Sequence, residues 1–594
     1  MILSGIRLSN FKAFGASQRI PLRPITLVFG ANSAGKSSLI HALALANHAL
    51  DAGELDTHRT SVGGEAIDLG GFRQYVYCRN LTRQVELAFE LETSALPGRV
   101  GALLGGAREV VVELGIGLGA TSGQLTLDGE SARTVDRGGN VRVERCRVEA
   151  DGRTLLSMSA RPGGMLRLDR LDKDHPVLRE FLQSLLTIST TTTAIRDEDL
   201  ADLGDSIDAL VPEISAECRR LLPRVAGKDD VRNGDGLNEL VTISRGRRQE
   251  DLARAVRLFL PAALADLVNG LSDAIEGEIR RLRYLGPLRS YPPRHLAFAQ
   301  HQDLNWFAGG GYAWDVVRTN PEVRRLVNAW LGDTTRLRSP YELHVRELLP
   351  AVSLGDELPS LLESESANNA YELLTLLNGP QREDVLRIAE LIATRTESPE
   401  RSEEAIHLVP ELGSLVDSII DIDRTATSWV DKLVHSCSEG IQDLVLIDKR
   451  TGTPVSHRDV GIGVSQVLPV LVSAYGLGNQ LVAIEQPEIH LHPALQAELG
   501  DVFIGSALGE QKNTFLLETH SEHLILRVLR RIRETFEDEL EDGMVPITPN
   551  DVAVLYVERA SDGAKLTHIP ITEDGEFERP WPEGFFPERS RELF

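Results

Sequence analysis

Phe29-Gly30-Ala31-Asn32-Ser33-Ala34-Gly35-Lys36-Ser37-Ser38 is the stretch whose reading decides the fold. It follows the apolar run Ile25-Thr26-Leu27-Val28-Phe29, which predicts a buried strand. It precedes Leu39-Ile40-His41-Ala42-Leu43-Ala44-Leu45, which predicts a helix. Strand, glycine-rich loop and helix are the context of a phosphate-binding loop. Its glycines let backbone N–H groups curl around phosphate oxygens, and the helix N-terminus adds partial positive charge. Lys36 is the candidate for the β- and γ-phosphates, and the Ser37 hydroxyl is the candidate ligand of Mg²⁺. Gly30, Asn32, Ser33, Ala34, Gly35 and Ser38 complete the candidate cradle.

On the N-terminal side, Ile2 to Leu8 predicts a strand, and Asn10 and Phe11 a turn. Lys12 is a weak candidate for nucleotide contact. Beyond the loop helix lies Asp68-Leu69-Gly70-Gly71-Phe72-Arg73-Gln74-Tyr75. Gln74 is the candidate there for orienting water or touching Mg²⁺. From about 100 to 180 the pattern is β-rich, and from about 188 to 283 helical spacing takes over. Residues 313–331 read as a helix broken at Asn320-Pro321, with Asn320 capping the second part. Residues 355–440 are polar and helical in pattern, without a sustained heptad run.

Near the C-terminus three stretches follow in order. Gly461-Ile462-Gly463-Val464-Ser465-Gln466 opens an apolar helix and offers Gly463, Ser465 and Gln466 as a second phosphate-binding device. The strand Leu481-Val482-Ala483-Ile484 then ends in Glu485-Gln486-Pro487-Glu488, which holds Glu485 near Mg²⁺ directly or through water. Last comes the apolar run Thr514 to Leu517, ending in Glu518-Thr519-His520-Ser521. A histidine at the carboxyl end of such a strand can sense the γ-phosphate. Asp551 to Glu558 predicts one more strand of the same sheet.

With those residues in view, the chain resembles an ABC-type ATPase of the RecF, SMC and OLD-like branch, among the AAA-family ATPases of prokaryotic defence islands. Tyr284-Leu285-Gly286-Pro287-Leu288-Arg289 is similar to that branch, and Asp574 to Phe586 is similar to a small C-terminal module of unknown function found in many of its members. The fold implied is α/β: an ABC-type P-loop ATPase head with mixed β-sheet lobes and a mainly helical inserted domain. The expected organisation has an N-terminal ATPase lobe at 1–180, a helical insertion at 181–283 and a return to the head at 284–350. A second helical insertion at 351–440, a C-terminal ATPase lobe at 441–560 and the small module at 561–594 follow.

The resemblance implies ATP and Mg²⁺ as ligands, with two ATP molecules sandwiched in a head-to-tail dimer or higher homo-oligomer. Ser37, Gln74 and Glu485 are the expected metal-side residues, and Glu485, Gln486, Glu488 and His520 the expected catalytic ones. One departure stands out. Where the family strand usually ends Asp-Glu, this one ends Glu485-Gln486, and an amide cannot take a proton from water. Slow hydrolysis is therefore expected, unless Glu488 supplies the carboxylate.

Composition narrows the function classes. Hydrophobic residues make up 42% and charged residues 25%, as in a globular protein, and 594 residues predict more than one lobe. No apolar run of membrane length and no signal peptide is read, and the four scattered cysteines predict a reducing, cytoplasmic setting. The net charge of −25, from 63 basic and 88 acidic residues, argues against a surface that coats nucleic acid. Arg245–Arg248, Arg280–Arg283 and Arg527–Arg533 remain candidate local grooves. About 70 residues follow His520, too few for the OLD nuclease domain, so no intrinsic nuclease is expected. The expected function is an ATP-dependent sensor or scaffold controlling a separately encoded effector, in anti-phage defence. The alternative is a DNA-repair or DNA-end-binding ATPase acting on nucleic acid directly.

Overall fold

The computed structural model describes residues 2–119, 140–190, 202–225, 241–289, 305–332, 339–348, 441–455 and 462–582, apart from single positions, together with residues 195 and 199. Two compact units emerge, residues 1–292, 300–342 and 456–594 in the first, and 293–299 and 343–455 in the second.

Two sheets build the first unit. The larger has nine antiparallel strands: β1 (Leu3–Ser9), β2 (Gln18–Pro21), β4 (Val85–Glu92), β5 (Glu109–Leu118), β6 (Val141–Ala150), β7 (Arg153–Ala160), β8 (Leu166–Leu171), β9 (Ser215–Glu217) and β10 (Arg224–Val225). They lie in the order β10-β9-β8-β7-β6-β5-β4-β1-β2. Alternation of buried and exposed residues is clearest in β8 and through much of β6, as expected of a sheet with one solvated face.

The second sheet carries the phosphate loop. Its strands are β3 (Ile25–Gly30), β11 (Leu282–Leu285), β15 (Leu481–Glu485), β16 (Thr514–Glu518), β17 (Val552–Ala560) and β18 (Gly563–Ile569). The order is β11-β15-β16-β3-β17-β18. Neighbours from β11 through β17 are parallel, and only the edge pair β17–β18 is antiparallel. β15 and β16 are buried at every position, the continuous apolar runs that a sheet covered on both faces requires. Because the central strands are parallel, their carboxyl ends collect at one edge, where open α/β sheets hold ligands.

Helix α1 (Lys36–Ala52) leaves the tip of β3. Twelve of its seventeen residues are buried, so it is apolar almost all round, as a helix enclosed by other elements must be. Further on lie α2 (Pro176–Ser189), α3 (Arg248–Ile279), α4 (Tyr312–Thr319), α5 (Pro321–Gly332), α6 (Ile462–Tyr475), α7 (Pro493–Leu508) and α8 (Glu522–Phe536). Among the described residues only α3 is long and apolar enough to cross a membrane. Its apolar face, including Leu252, Val256, Leu264 and Ile275, belongs to the hydrophobic core shared with both sheets. The expected break before Pro321 is present: Asn320 Oδ1 accepts the N–H groups of Glu322 and Val323 at 3.1 and 3.2 Å, capping α5.

β12 (Tyr341–Leu348), which belongs to the second unit from Leu343 on, forms a three-stranded sheet with β13 (Ile441–Asp448) and β14 (Thr453–Val455). Residues 351–440, read as a helical insertion, lie outside the described residues.

Three expectations change. The stretch 181–283 is not only helical, since β9 and β10 extend the large sheet. Residues 441–455 pair with β12 rather than with the phosphate-loop sheet. The strand at 563–569, expected within a separate small module, is the edge of that sheet, because β17 turns tightly back on itself and its last residues pair antiparallel from Ala560↔Gly563.

Candidate functional site: a phosphate loop faced by three glutamates

The loop between β3 and α1 needs two unusual glycines. Gly30 has φ 143° and Gly35, the N-cap of α1, has φ 114°. A Cβ at Gly30 would lie 2.3 Å from the Val557 carbonyl oxygen of β17, so neither conformation nor space admits a larger residue. Asn32 and Ser33 are exposed and Ala34 is buried. No acidic residue occupies the first turn of α1, so its N–H groups keep their attraction for an anion.

Lys36 is only 4% exposed. Its ammonium donates to the Gly30 and Ala31 carbonyls, each at 3.1 Å, and lies 3.8 Å from Glu518 Oε1. Burial holds its pKa below the usual lysine value, opposed by Glu518, Glu488 and Glu485. The Ser37 hydroxyl donates to Glu518 Oε2 at 2.7 Å. Glu518 ends β16 directly across from Glu485, which ends β15. Burial first, and then the Glu485 charge, push the Glu518 pKa up to about 7.

Glu485 is buried and held from the other side. Tyr284 of β11 donates its hydroxyl to Glu485 Oε1 at 3.0 Å, and His41 Nε2 of α1 lies 3.6 Å from the same oxygen. Burial and Glu485 raise the Tyr284 pKa, so the phenol stays protonated as a donor. Burial lowers the His41 pKa, leaving a neutral ring whose Nδ1 accepts from Lys12 Nζ at 2.6 Å. Lys12 sits in a left-handed turn, φ 46°, and burial brings its pKa down to about 8. The chain Lys12–His41–Glu485–Tyr284 thus fixes the carboxylate from three separate elements.

Gln486 also has positive φ, 47°. Its N–H donates to the Glu518 carbonyl at 2.7 Å and its carbonyl accepts from Arg289 Nη2 at 2.9 Å. Arg289, 6% exposed, donates also to the Gln466 carbonyl at 2.9 Å, so one guanidinium ties the start of α6 to the loop after β15. Glu488 accepts from the His520 N–H at 2.7 Å and from the Thr519 hydroxyl at 2.8 Å. Both of its oxygens are therefore taken by the loop after β16. His520 projects outward with an exposed side chain. Desolvation by the surrounding loops, and then the Lys36 charge, hold its pKa low. Ser521 caps α8, accepting from the Leu524 N–H at 3.1 Å.

The structure thus brings Lys36, Ser37, Glu485, Glu488 and His520 to one end of the parallel sheet. Gln74 is exposed in the short helix Phe72–Tyr75, its N–H bonded to the Gly71 carbonyl, and the next residue, Tyr75, accepts the Lys12 N–H at its carbonyl at 2.6 Å. Ser465 and Gln466 are buried, at 1% and 4% exposure, rather than presented outward as expected. Gly463 is half-buried, with open space where a Cβ would stand. Glu518, His41 and Tyr284 were not singled out from the sequence. The visible signals were an acid placed at the end of a buried strand and a histidine one turn into the loop helix. Arg559 of β17, which donates to the Ser33 carbonyl at 3.0 Å, is another contact to the loop that no motif announced.

Oxygen donors of this kind suit a hard cation such as Mg²⁺. Ser37 and Glu485 face the same end of the sheet with Glu518 between the loop and β15, so the residues present fit that ion. His490 and His492 do not form a metal site: His490 is exposed and His492 caps α7, accepting from the Ala494 N–H at 3.3 Å. Among the described residues no three histidines, cysteines or acids cluster as ligands by themselves.

Among the described residues, several arginines of the candidate basic grooves are paired with acids within the fold. Arg527 and Arg531 pair with Asp501, and Arg527 also with Glu498. Arg530 and Arg531 reach Glu534, Arg280 meets Glu276, Arg281 meets Glu278 and Arg248 meets Asp199.

Residues 275–527, which carry β11, α6, β15, α7, β16 and the start of α8, match the family model described as "AAA domain, putative AbiEii toxin, Type IV TA system". Residues 547–594 match a protein family of unknown function, DUF3696. The chain carries an AAA-type ATPase domain with a DUF3696 module. The phosphate loop at Gly30–Ser38 precedes the matched ATPase region in sequence and joins it through β3, which pairs with β16 and β17. No curated protein matches the chain.

Among solved structures, the AAA-type chain is similar to the Smc head bound to the C-winged helix domain of ScpA, at 9% identity and TM-score 0.32, over 96% of this chain and 99% of that one. A similar likeness, at 10% identity and TM-score 0.32, covers 96% of each chain. That structure is an Smc head domain with an extended coiled coil, bound to the C-terminal domain of ScpA from Pyrococcus furiosus. The SMC head domain from Thermotoga maritima gives 7% identity and TM-score 0.31, over 96% and 100%.

Proposed function

We propose that this chain is an ABC-type ATP switch: it binds MgATP at the loop Gly30–Ser38, hydrolyses it slowly, and closes as a homodimer or larger homo-oligomer around it. One observation carries the reading. Lys36 and Ser37 meet Glu518, which pairs in register with Glu485 and is two residues before His520, at the carboxyl end of a parallel sheet in which β16 lies between the phosphate-loop strand and the strand bearing Glu485.

In this reading Lys36 exchanges its contacts with backbone carbonyls and Glu518 for the β- and γ-phosphates. The N–H groups at the start of α1 hold the phosphate oxygens. Ser37 and Glu485 are the residues to hold Mg²⁺, which when bound neutralises charge on the phosphates. His41 and Tyr284 keep Glu485 from turning away. His520, exposed beside Lys36, reports the γ-phosphate, and Glu488 couples its backbone to the Glu485 loop. Gln486 orients water without accepting a proton, which supports slow turnover. Gly463 offers a backbone contact at the surface for the partner's nucleotide, with Ser465 and Gln466 keeping the start of α6 in place.

The role proposed for the switch is to control a separately encoded effector in anti-phage defence. The toxin–antitoxin wording of the matched family supports that setting. The free cysteines Cys78, Cys146 and Cys218 suit a reducing cytoplasm. The test is binding of a fluorescent ATP analogue, followed in parallel by sedimentation. Wild type should bind and shift to a dimer with ATP, whereas Lys36→Ala should bind about 100-fold more weakly and stay in its nucleotide-free form. Unchanged binding by Lys36→Ala would overturn the proposal.

A further inference from the structure

We infer that Glu518, at the end of β16, is the carboxylate that activates the attacking water, in the role that Gln486 cannot fill. The inference rests on the reading of this site as an ATPase and deepens it.

Four acidic or amide groups stand at this end of the sheet, and their contacts separate their tasks. Gln486 is an amide whose backbone is locked on both sides, by the Glu518 carbonyl and by Arg289. Glu488 spends one oxygen on the Thr519 hydroxyl and the other on the His520 N–H, a clamp between two loops. Glu485 is gripped at Oε1 by Tyr284 and His41. Glu518 differs: the side chains it meets are Ser37 at 2.7 Å and Lys36 at 3.8 Å, the two groups that a bound MgATP takes over. Once they turn to the nucleotide, the Glu518 carboxylate is released next to the γ-phosphate. In this structure it is 5% exposed and stands in strand register opposite Glu485.

The step balances without a further reagent. The water oxygen forms a bond to the γ-phosphorus as the bond from that phosphorus to the β–γ bridging oxygen breaks. The bond's electron pair leaves with ADP, and the water proton passes to a Glu518 oxygen. Because β16 lies beside β3, the same carboxylate holds Ser37 and meets Lys36 at the start of α1.

Glu518→Gln, isosteric and uncharged, tests this in the full-length protein by two readouts. General-base removal is expected to lower phosphate release at least about 100-fold while MgATP binding stays within about threefold of wild type. In EDTA, the fluorescent ATP analogue is expected to bind at least about threefold more tightly to Glu518→Gln, because a negative charge beside the triphosphate is gone. Adding Gln486→Glu to Glu518→Gln should restore much of the turnover, which a merely structural lesion would not allow. Glu518→Asp, which keeps the charge, should retain partial turnover and covers the case in which the Gln variant fails to fold.

Turnover by Glu518→Gln within threefold of wild type overturns the inference, as does unchanged binding in EDTA. If wild type binds MgATP and releases no phosphate, the inference falls while the switch reading stands. Failure of wild type to bind the nucleotide at all removes both.

Discussion

Glu518 carries a second consequence at the scale of a single residue. Its folded pKa is raised to about 7, from an ordinary 4.5. Between those values the folded chain holds a proton that the unfolded chain has already lost. Stability then falls as pH rises, since the unfolded state binds fewer protons. The nucleotide-free protein should therefore lose stability from about pH 4.5 to about pH 7, by about 3 kcal/mol from this group. Thermal melting of wild type and Glu518→Gln across that range checks it: the difference between the two should swing toward the Gln variant as pH rises. A constant difference would mean that the Glu518 carboxyl titrates normally. The sequence did not reveal this pairing. Ser37 and Glu518 are separated by 481 positions, and only the parallel register of β3 against β16 brings them together. Lys36 and Ser37, by contrast, were legible from a local pattern, because strand, glycines and helix start lie within a dozen residues.

At the scale of elements, the same division holds. β3, α1, β15, β16 and β17 were each readable, because a strand buried on both faces must be apolar throughout and must end where a polar ligand site begins. β18 was not, since its burial is mixed and its place depends on a tight reversal after Ala560. Its consequence reaches the phosphate loop. Trp581, which follows β18, packs edge-on against Phe29 at 5.2 Å between ring centres, and against Tyr556 and Phe577. Phe29 immediately precedes Gly30, so the C-terminal module braces the strand from which the loop springs. Trp581→Ala should cost about 3 kcal/mol through the cavity it leaves, read as a lower midpoint in denaturant unfolding. The same variant should weaken ATP-analogue binding as β3 loosens. Full stability in Trp581→Ala would show that this aromatic cluster does not support the sheet.

For the molecule as a whole, charge bears on the two functional readings. A net charge of −25 repels a polyanion unless a basic surface collects locally. Composition alone left three arginine clusters as candidates for such a surface. In the fold, Arg527, Arg530 and Arg531 are matched by Asp501, Glu498 and Glu534, and Arg280 and Arg281 by Glu276 and Glu278, while Arg283 and Arg533 take no part in these pairs. An arginine already paired gives up that carboxylate before it neutralises a phosphate, so the counterion-release gain that drives DNA binding is largely cancelled. Duplex DNA mixed with the full chain in about 0.15 M salt should therefore bind no more tightly than about 10⁻⁴ M, the weak end of non-specific binding, with or without ATP. Fluorescence anisotropy of labelled duplex measures it. Micromolar binding that appears only with ATP and weakens steeply with salt would mean that closure assembles a basic groove from two subunits. In that case the DNA-end-binding reading would displace the effector-switch reading. Salt-insensitive weak binding leaves the paired arginines as fold-stabilising contacts, and the partner of the closed form is then to be sought among proteins.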